Sequence, residues 1–225
     1  MQINEIFHSI QGEGKWTGVP SIFVRTSGCN LRCSFCDTPM TSWNPQGDET
    51  SQEEILERIS SWECEHVVIT GGEPLLWPEM VSFSATLKEK GHIITFETAG
   101  TVTQNVQADL ISLSPKLKNS TPDDADWKER HEKTRKNEEA VRFLTGDYDY
   151  QLKFVIDEPH DIEEVNEYLD RFSFLDRSKV YLMPQAITVK MLQEKKGWLK
   201  NLADENGFQV SPRLHIELFG NTPGT

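Results

Sequence analysis

Cysteine is scarce in this chain of 225 residues: there are four, and three of them fall between Cys29 and Cys36. Thiols so few and so unevenly placed exclude a secreted disulfide framework and suit a reducing compartment. Long apolar runs are missing as well. No stretch approaches a membrane span, and the segment from Met1 to Glu5 lacks a basic region followed by an apolar one. Neither membrane association nor export is expected, so the expected location is cytoplasmic. Positive charge is also short, with 23 Lys and Arg against 36 Asp and Glu, for a net charge of −13. Nucleic-acid backbones are bound by Lys and Arg, so they are not an expected partner. The acidic surplus reads as a solvated surface, and an anionic substrate must be caught by a few local cations. What remains is ordinary: 36% hydrophobic and 26% charged residues, enough for one domain with its own core over residues 1–225.

Apolar runs with strand character occur at Ser21–Arg25, His66–Thr70, Ile93–Thr98, Leu110–Ser114, Leu152–Ile156 and Val180–Met183. Helices alternate with them. A capping box at Thr50–Glu53 precedes Ile55, Leu56 and Ile59 at helical spacing. Pro78 opens a second helix that Gly91 stops. A third carries Ile162, Val165, Tyr168, Leu169 and Phe172, and a fourth runs from Val189 to Asn206. This alternation predicts an α/β fold of βαβ units on a mostly parallel sheet, shaped as an open barrel. Residues 118–147 turn charged and weakly apolar, and they read as a charged insertion.

The three crowded cysteines, Cys29, Cys33 and Cys36, are spaced C-x3-C-x2-C. Three thiolates can hold three irons of a [4Fe–4S] cluster and leave the fourth iron without a protein ligand, whereas electron-carrying clusters usually take four. Tetrahedral zinc normally wants four Cys or His ligands in two pairs, and Cys64 lies alone in a helix-to-strand connection. A zinc site or a redox thiol group remains the alternative. The spacing resembles that of the radical S-adenosylmethionine enzymes, whose open iron binds S-adenosylmethionine and delivers an electron to its sulfonium.

Three further strand ends fit a cofactor rim. Thr70-Gly71-Gly72-Glu73-Pro74 follows a strong strand, where α/β folds place ligand-binding loops. Two glycines let backbone approach a ligand, and Glu73 can accept from an ammonium group. In the superfamily, G-G-E-P holds the methionine amino group. Ser114-Pro115-Lys116 ends another strand, and its hydroxyl and ammonium suit a ribose and a carboxylate; alone, the tripeptide is a turn. Met183-Pro184-Gln185-Ala186 has the same standing. Phe35 resembles the aromatic that packs on adenine, and it also covers the cluster. Asp37 belongs to the same cofactor loop.

Other motifs narrow the resemblance. Glu5 to Gly14 reads E-x-F-x-x-x-Q-G-E-G, Cys36-Asp37-Thr38 closes the cysteine loop, and Phe96 to Thr101 and His215 to Thr225 follow. Together they resemble the 7-carboxy-7-deazaguanine synthases from end to end, apart from the charged stretch. This implies a modified partial TIM-type barrel with a reduced helix complement. The implied reaction converts 6-carboxy-5,6,7,8-tetrahydropterin to 7-carboxy-7-deazaguanine and ammonia, a carbon–nitrogen lyase step toward queuosine and related 7-deazapurines. A 5′-deoxyadenosyl radical takes hydrogen from C6, the ring contracts, and ammonia leaves. The implied cofactors are the [4Fe–4S] cluster, S-adenosylmethionine and Mg²⁺. The implied partners are the pterin, a flavodoxin or ferredoxin donor, and a second copy of the chain in a homodimer.

The resemblance also assigns residues. Thr38 stands where the family holds Mg²⁺, and a neutral hydroxyl is a hard oxygen donor. Arg25 ends a strand beside the cysteines, and its guanidinium matches a carboxylate, with a surface ion pair as the alternative. Ile10, Gln11, Gly12, Glu13, Thr70 and Glu97 face the aminopyrimidinone edge; Glu97 is otherwise an unexplained acid in an apolar run. His215 and the carboxylate of Thr225 complete the substrate set. Two departures stand out: the short x3 spacing between the first two cysteines, and Pro184-Gln185 where some members have Gln-Pro. An activase that makes a glycyl radical on a partner protein would share the cysteines and G-G-E-P but has no use for the Q-G-E-G and C-terminal motifs. A non-enzymatic iron–sulfur protein would not cleave S-adenosylmethionine.

Overall fold

The computed structural model describes residues 1–225. In chain order the strands and helices are β1 (Gln2–Ile10), β2 (Pro20–Thr26), β3 (Asp48–Glu49), α1 (Gln52–Ser60), β4 (His66–Gly71), α2 (Met80–Glu89), β5 (Ile93–Thr98) and β6 (Leu110–Leu113). They continue with α3 (Ala125–Thr134), α4 (Glu138–Gly146), β7 (Tyr150–Ile156), α5 (Asp161–Arg171), β8 (Val180–Pro184), α6 (Val189–Asn206), β9 (Gln209–Val210) and α7 (Leu214–Phe219). One nine-stranded sheet runs in the order β3-β1-β2-β4-β5-β6-β7-β8-β9. From β2 to β9 every neighbouring pair is parallel, while β1 pairs antiparallel with both β2 and β3. Since β3 and β9 stay at the edges, the barrel is open.

The central strands read as continuous apolar runs because helices cover the outer face. Ile22, Val24, Val67, Ile69, Ile94, Phe96, Ile111, Leu113, Leu152 and Phe154 point into that core, each almost completely buried. Alternate residues face the concave side, where β-strand periodicity places Phe23, Arg25, Thr70, Glu97, Ser112, Lys153 and Val155 together. Phe7 stacks on Phe23 with ring centroids 5.0 Å apart, and with Val68 they make a small apolar cluster on that side.

Local signals hold with small shifts. The capping box sits one residue later than expected. Ser51 Oγ accepts from Glu54 N at 3.2 Å, and Glu54 Oε2 accepts from Ser51 N at 2.8 Å. Thr50 is not free to cap, because its N–H donates to Met1 O. The second helix begins at Met80 rather than Pro78 and ends before Gly91, which takes φ +86°. β1, β3, β9 and α7 carry no strong periodicity and emerge only from the structure. Residues 118–147, read from sequence as a charged insertion, fold as α3 and α4 between β6 and β7, where the sheet requires a crossover. Asp124 and Asn137 cap the two helices, and Ala140, Val141 and Leu144 of α4 are buried. No helix is long and apolar enough to cross a membrane.

Candidate active site

A cavity of about 270 Å³ opens at the C-terminal ends of the parallel strands, the usual place for a site in this kind of sheet. Cys29, Cys33, Phe35, Cys36, Asp37 and Thr38 line it from the loop after β2, Gly71 and Gly72 after β4, and Ser114 and Lys116 after β6. Met183 and Gln185 reach it from β8, and Ile10, Gln11, Gly12 and Glu13 from the end of β1. Arg25, Thr70, Glu97, His215 and Thr225 also line it.

The cysteine loop is held from several sides. Gly72 N donates to Thr26 O at 3.2 Å and Glu73 N to Gly28 O at 2.9 Å, so the Gly-Gly turn supports the base of the loop. A Cβ on Gly72 would lie 2.1 Å from Gly28 O, so any side chain there would push the two loops apart. Trp43 Nε1 donates to Cys33 O, and Ser34 N donates to Ser120 O. On α3, His131 Nδ1 accepts from Arg32 N at 3.2 Å, which leaves Nε2 to donate to Ser120 Oγ at 3.0 Å. Burial pushes the His131 pKa down to about 4, and the Arg135 charge adds to the effect.

The thiols fit an iron–sulfur cluster. All of them are free. Burial pushes Cys29 up to about 12 and Cys33 up to about 11, so thiolates there need cationic iron beside them. Leu31 N donates to Cys29 Sγ at 3.4 Å, and Ser42 Oγ lies 3.2 Å from Cys36 Sγ. No three His, Cys, Asp or Glu side chains converge as a single-ion site demands. A cubane spreads its thiolates over three irons, so the three separated thiols are compatible with a cluster.

Beside the cysteines lies a buried charge network that sequence reasoning missed in part. Lys153 Nζ is 2.6 Å from Glu13 Oε2 and 3.4 Å from Glu97 Oε1. Arg213 Nε donates to Glu13 Oε1 at 3.0 Å, its Nη1 to Ala186 O at 2.7 Å, and its Nη2 to Asp37. Gln11 Nε2 and Thr70 Oγ1 donate to Glu97 at 3.3 and 3.0 Å. Burial alone would protonate Glu13, but Lys153, Arg213 and His215 outweigh it and hold its carboxyl well below the usual range. Asp37 is likewise held down, against burial, by Arg213. Lys153 and Arg213 are raised despite burial, chiefly by the Glu13 charge. Burial pushes His215 below its ordinary value. Gly14 takes φ +70°, and a Cβ there would lie 2.2 Å from Gln151 Nε2, which donates to Ser112 Oγ. That close approach lets the loop of residues 10–15 seat Glu13 on Lys153.

Some expected contacts fall elsewhere. Glu73 does not line the cavity. It is fully buried, and its carboxylate accepts from Thr98 Oγ1, Ala99 N and Leu75 N. Burial raises its pKa against those bonds, which tie the turn after β4 to the end of β5. Pro115, Pro184 and Ala186 are also absent from the lining; Ala186 is buried and offers only its carbonyl, to Arg213. Arg25 lines the cavity and also forms the ion pair weighed as its alternative, with Nε donating to Glu5 Oε1 at 2.7 Å. No hydrogen bond within the chain engages its two Nη atoms. Lys153 carried the same signal as Glu97, a charge inside an apolar strand, while Arg213 had no signal at all.

An open, mostly parallel barrel with a three-cysteine loop after β2 and a Gly-Gly turn after β4 defines a radical S-adenosylmethionine protein, and the family model described as the Radical SAM superfamily matches residues 23–145. Relatives go further. A 7-carboxy-7-deazaguanine synthase of Halobacterium salinarum is 41% identical over all of this chain and 93% of its own. One of Rhodopirellula baltica is 42% identical over 99% of this chain and 88% of its own. The crystal structure of QueE from Escherichia coli superposes with a TM-score of 0.72 at 25% identity, covering 95% of this chain and 94% of that one. The chain belongs to the 7-carboxy-7-deazaguanine synthases. It therefore belongs to an enzyme family that uses a [4Fe–4S] cluster and S-adenosylmethionine, and the activase and electron-carrier alternatives are not favoured.

Proposed function

We propose that this chain converts 6-carboxy-5,6,7,8-tetrahydropterin to 7-carboxy-7-deazaguanine and ammonia, toward queuosine or a related 7-deazapurine. The observation that carries this reading is one cavity with three free cysteines at one side and the Glu13–Lys153–Glu97 network at the other. Cys29, Cys33 and Cys36 hold the cluster. With S-adenosylmethionine bound, it supplies the radical chemistry of the superfamily. The backbone of Gly71 and Gly72 and the side chains of Phe35, Ser114, Lys116, Met183 and Gln185 form the cofactor wall.

The chain's own residues bind and orient the pterin. Glu97, fixed by Gln11 and Thr70, accepts N–H groups of the aminopyrimidinone edge, as does Glu13. Lys153 keeps Glu13 ionised against burial and holds Glu97 in place beside it. Arg25 offers its free Nη edge to the substrate's anionic end, while His215 and the terminal carboxylate of Thr225 face its other polar groups. That local cation meets the need set by a chain of net charge −13. Thr38, whose Oγ1 accepts from Thr41 Oγ1 at 3.3 Å, is the residue proposed to hold Mg²⁺. The protein is expected to work in the cytoplasm as a homodimer, with reducing equivalents from a flavodoxin or ferredoxin. The deciding experiment incubates reduced, anaerobically reconstituted protein with S-adenosylmethionine, Mg²⁺ and the carboxypterin. Formation of the deazapurine acid supports the reading. Cofactor cleavage without that product overturns it.

A further inference from the structure

Most lysines and arginines of this acidic chain sit within 4.0 Å of a carboxylate. Those that do not are unevenly placed. Arg58, Lys90 and Lys196 are scattered over α1, α2 and α6. The other six, Arg32, Lys116, Lys118, Lys128, Arg130 and Lys133, belong to the cysteine loop and the segment packed on it. Lys116 faces the cavity, and the rest belong to the outer side.

The centre of this patch is built. The guanidinium of Arg32 lies 4.1 Å from the centroid of the Trp127 ring, and that of Arg130 lies 4.5 Å from the same ring. Two guanidinium groups thus share one half-buried indole with no carboxylate between them, an arrangement that like-charge repulsion opposes. Of the neighbouring acids, Asp124 and Glu132 are engaged elsewhere, and Asp123 forms no ion pair with either arginine. Asp124 accepts from the N–H groups at the start of its own helix, and Glu132 pairs with Arg135 and Lys136. Asp126 and Glu129 share α3 but form no ion pair with either arginine.

The patch borders the metal loop. Arg32 precedes Cys33, and its Nη1 donates to Cys29 O and Leu31 O at 2.8 Å each. Ser34, exposed between Cys33 and Phe35, bonds to Ser120 O and Asn119 O beside α3. A body seated on α3 therefore comes up against the outer edge of the cysteine loop.

We propose that the Arg32–Trp127–Arg130 face of α3, with Lys128 and Lys133, is the docking surface for an acidic one-electron carrier protein. In the step it serves, one electron leaves the reduced carrier and enters the group held by Cys29, Cys33 and Cys36. No bond is made or broken and no proton moves at this face. The remaining surface, with its net negative charge, repels an acidic carrier, so the local cations both attract it and set its orientation. The inference rests on the proposed function, and the test separates the two.

The variant is Arg130→Glu/Lys133→Glu, which leaves every cavity residue in place. Bleaching of cluster absorbance is followed by stopped flow in reconstituted holoenzyme, with either reduced flavodoxin or dithionite as reductant. The variant is expected to react about tenfold more slowly with flavodoxin at low salt, and the salt dependence of the wild type is expected to flatten. Its dithionite rate is expected to stay unchanged. A control, Lys90→Glu/Lys196→Glu, makes the same change in net charge elsewhere and should match the wild type. An unchanged flavodoxin rate, equal slowing in the control, or equal slowing with dithionite overturns the docking surface. Dithionite-driven turnover without deazapurine overturns the proposed function instead.

Discussion

Lys153 Nζ bridges Glu13 Oε2 at 2.6 Å and Glu97 Oε1 at 3.4 Å, so one ammonium hidden from water joins the loop after β1 to the middle of the sheet. Burial opposes the charge on both Glu13 and Lys153, yet each keeps it because the other lies beside it, and the wall of the cavity stays polar and fixed.

Lys153→Met removes the ammonium between Glu13 and Glu97 and leaves Glu13 with Arg213 as its one close cation. Removing one partner of a buried pair costs about 3–5 kcal/mol, which for a chain of this size lowers the melting temperature by roughly 6–20 °C. Pterin affinity, measured by calorimetry, should fall with it. Wild-type stability together with wild-type affinity would refute the bridging role.

His131 gives a pH dependence of definite sign. Its folded pKa, about 4, lies below the unfolded value of 6.5, so between those pH values the unfolded chain binds more protons. Stability therefore falls as pH drops from 6.5 toward 4, by about 1–2 kcal/mol. His131→Asn removes the titration and keeps an acceptor near Arg32 N. Across that window the wild-type melting temperature should fall by roughly 2–8 °C more than the variant's. Parallel slopes would show that another group is responsible.

Cys33→Ala removes the middle ligand of the loop. Anaerobic reconstitution should then give no stable cubane, measured as iron and sulfide per chain and by electron paramagnetic resonance, and no turnover. A variant that retains both cluster and turnover would contradict the assignment.

Deleting Thr225, or appending a tag there, should weaken pterin binding by about tenfold, the loss of one charge-assisted hydrogen bond. Reductive cleavage of S-adenosylmethionine should persist, since the cysteine loop and Gly-Gly turn are untouched. Unchanged pterin affinity would make the last residue a bystander.

The chemistry was more legible in the sequence than the geometry. The cysteine spacing and the G-G-E-P turn are local, so a linear reading finds them and the parallel strands around them. β1 escaped because its ladder is antiparallel and its alternation is masked by Asn4, Glu5 and His8. Residues 118–147 read as a charged insertion because their mean composition is charged, yet Ala140, Val141 and Leu144 need only one face of α4 to reach the core. Arg213 was invisible for another reason. Its partners Glu13, Asp37 and Ala186 are distant in sequence, and only folding brings them to one guanidinium.

That distance sets an order of maturation. Every cysteine, the Gly-Gly turn, Lys116 and the His131 clamp lie before the last third of the polypeptide, whereas the latch from Leu214 N to Gly12 O closes across its two extremities. A nascent polypeptide stalled short of Arg213 already carries all its iron-binding thiols but has no finished pocket for the pterin. Loss of the segment from Arg213 onward would therefore spare every iron-binding thiol while removing one side of the pocket.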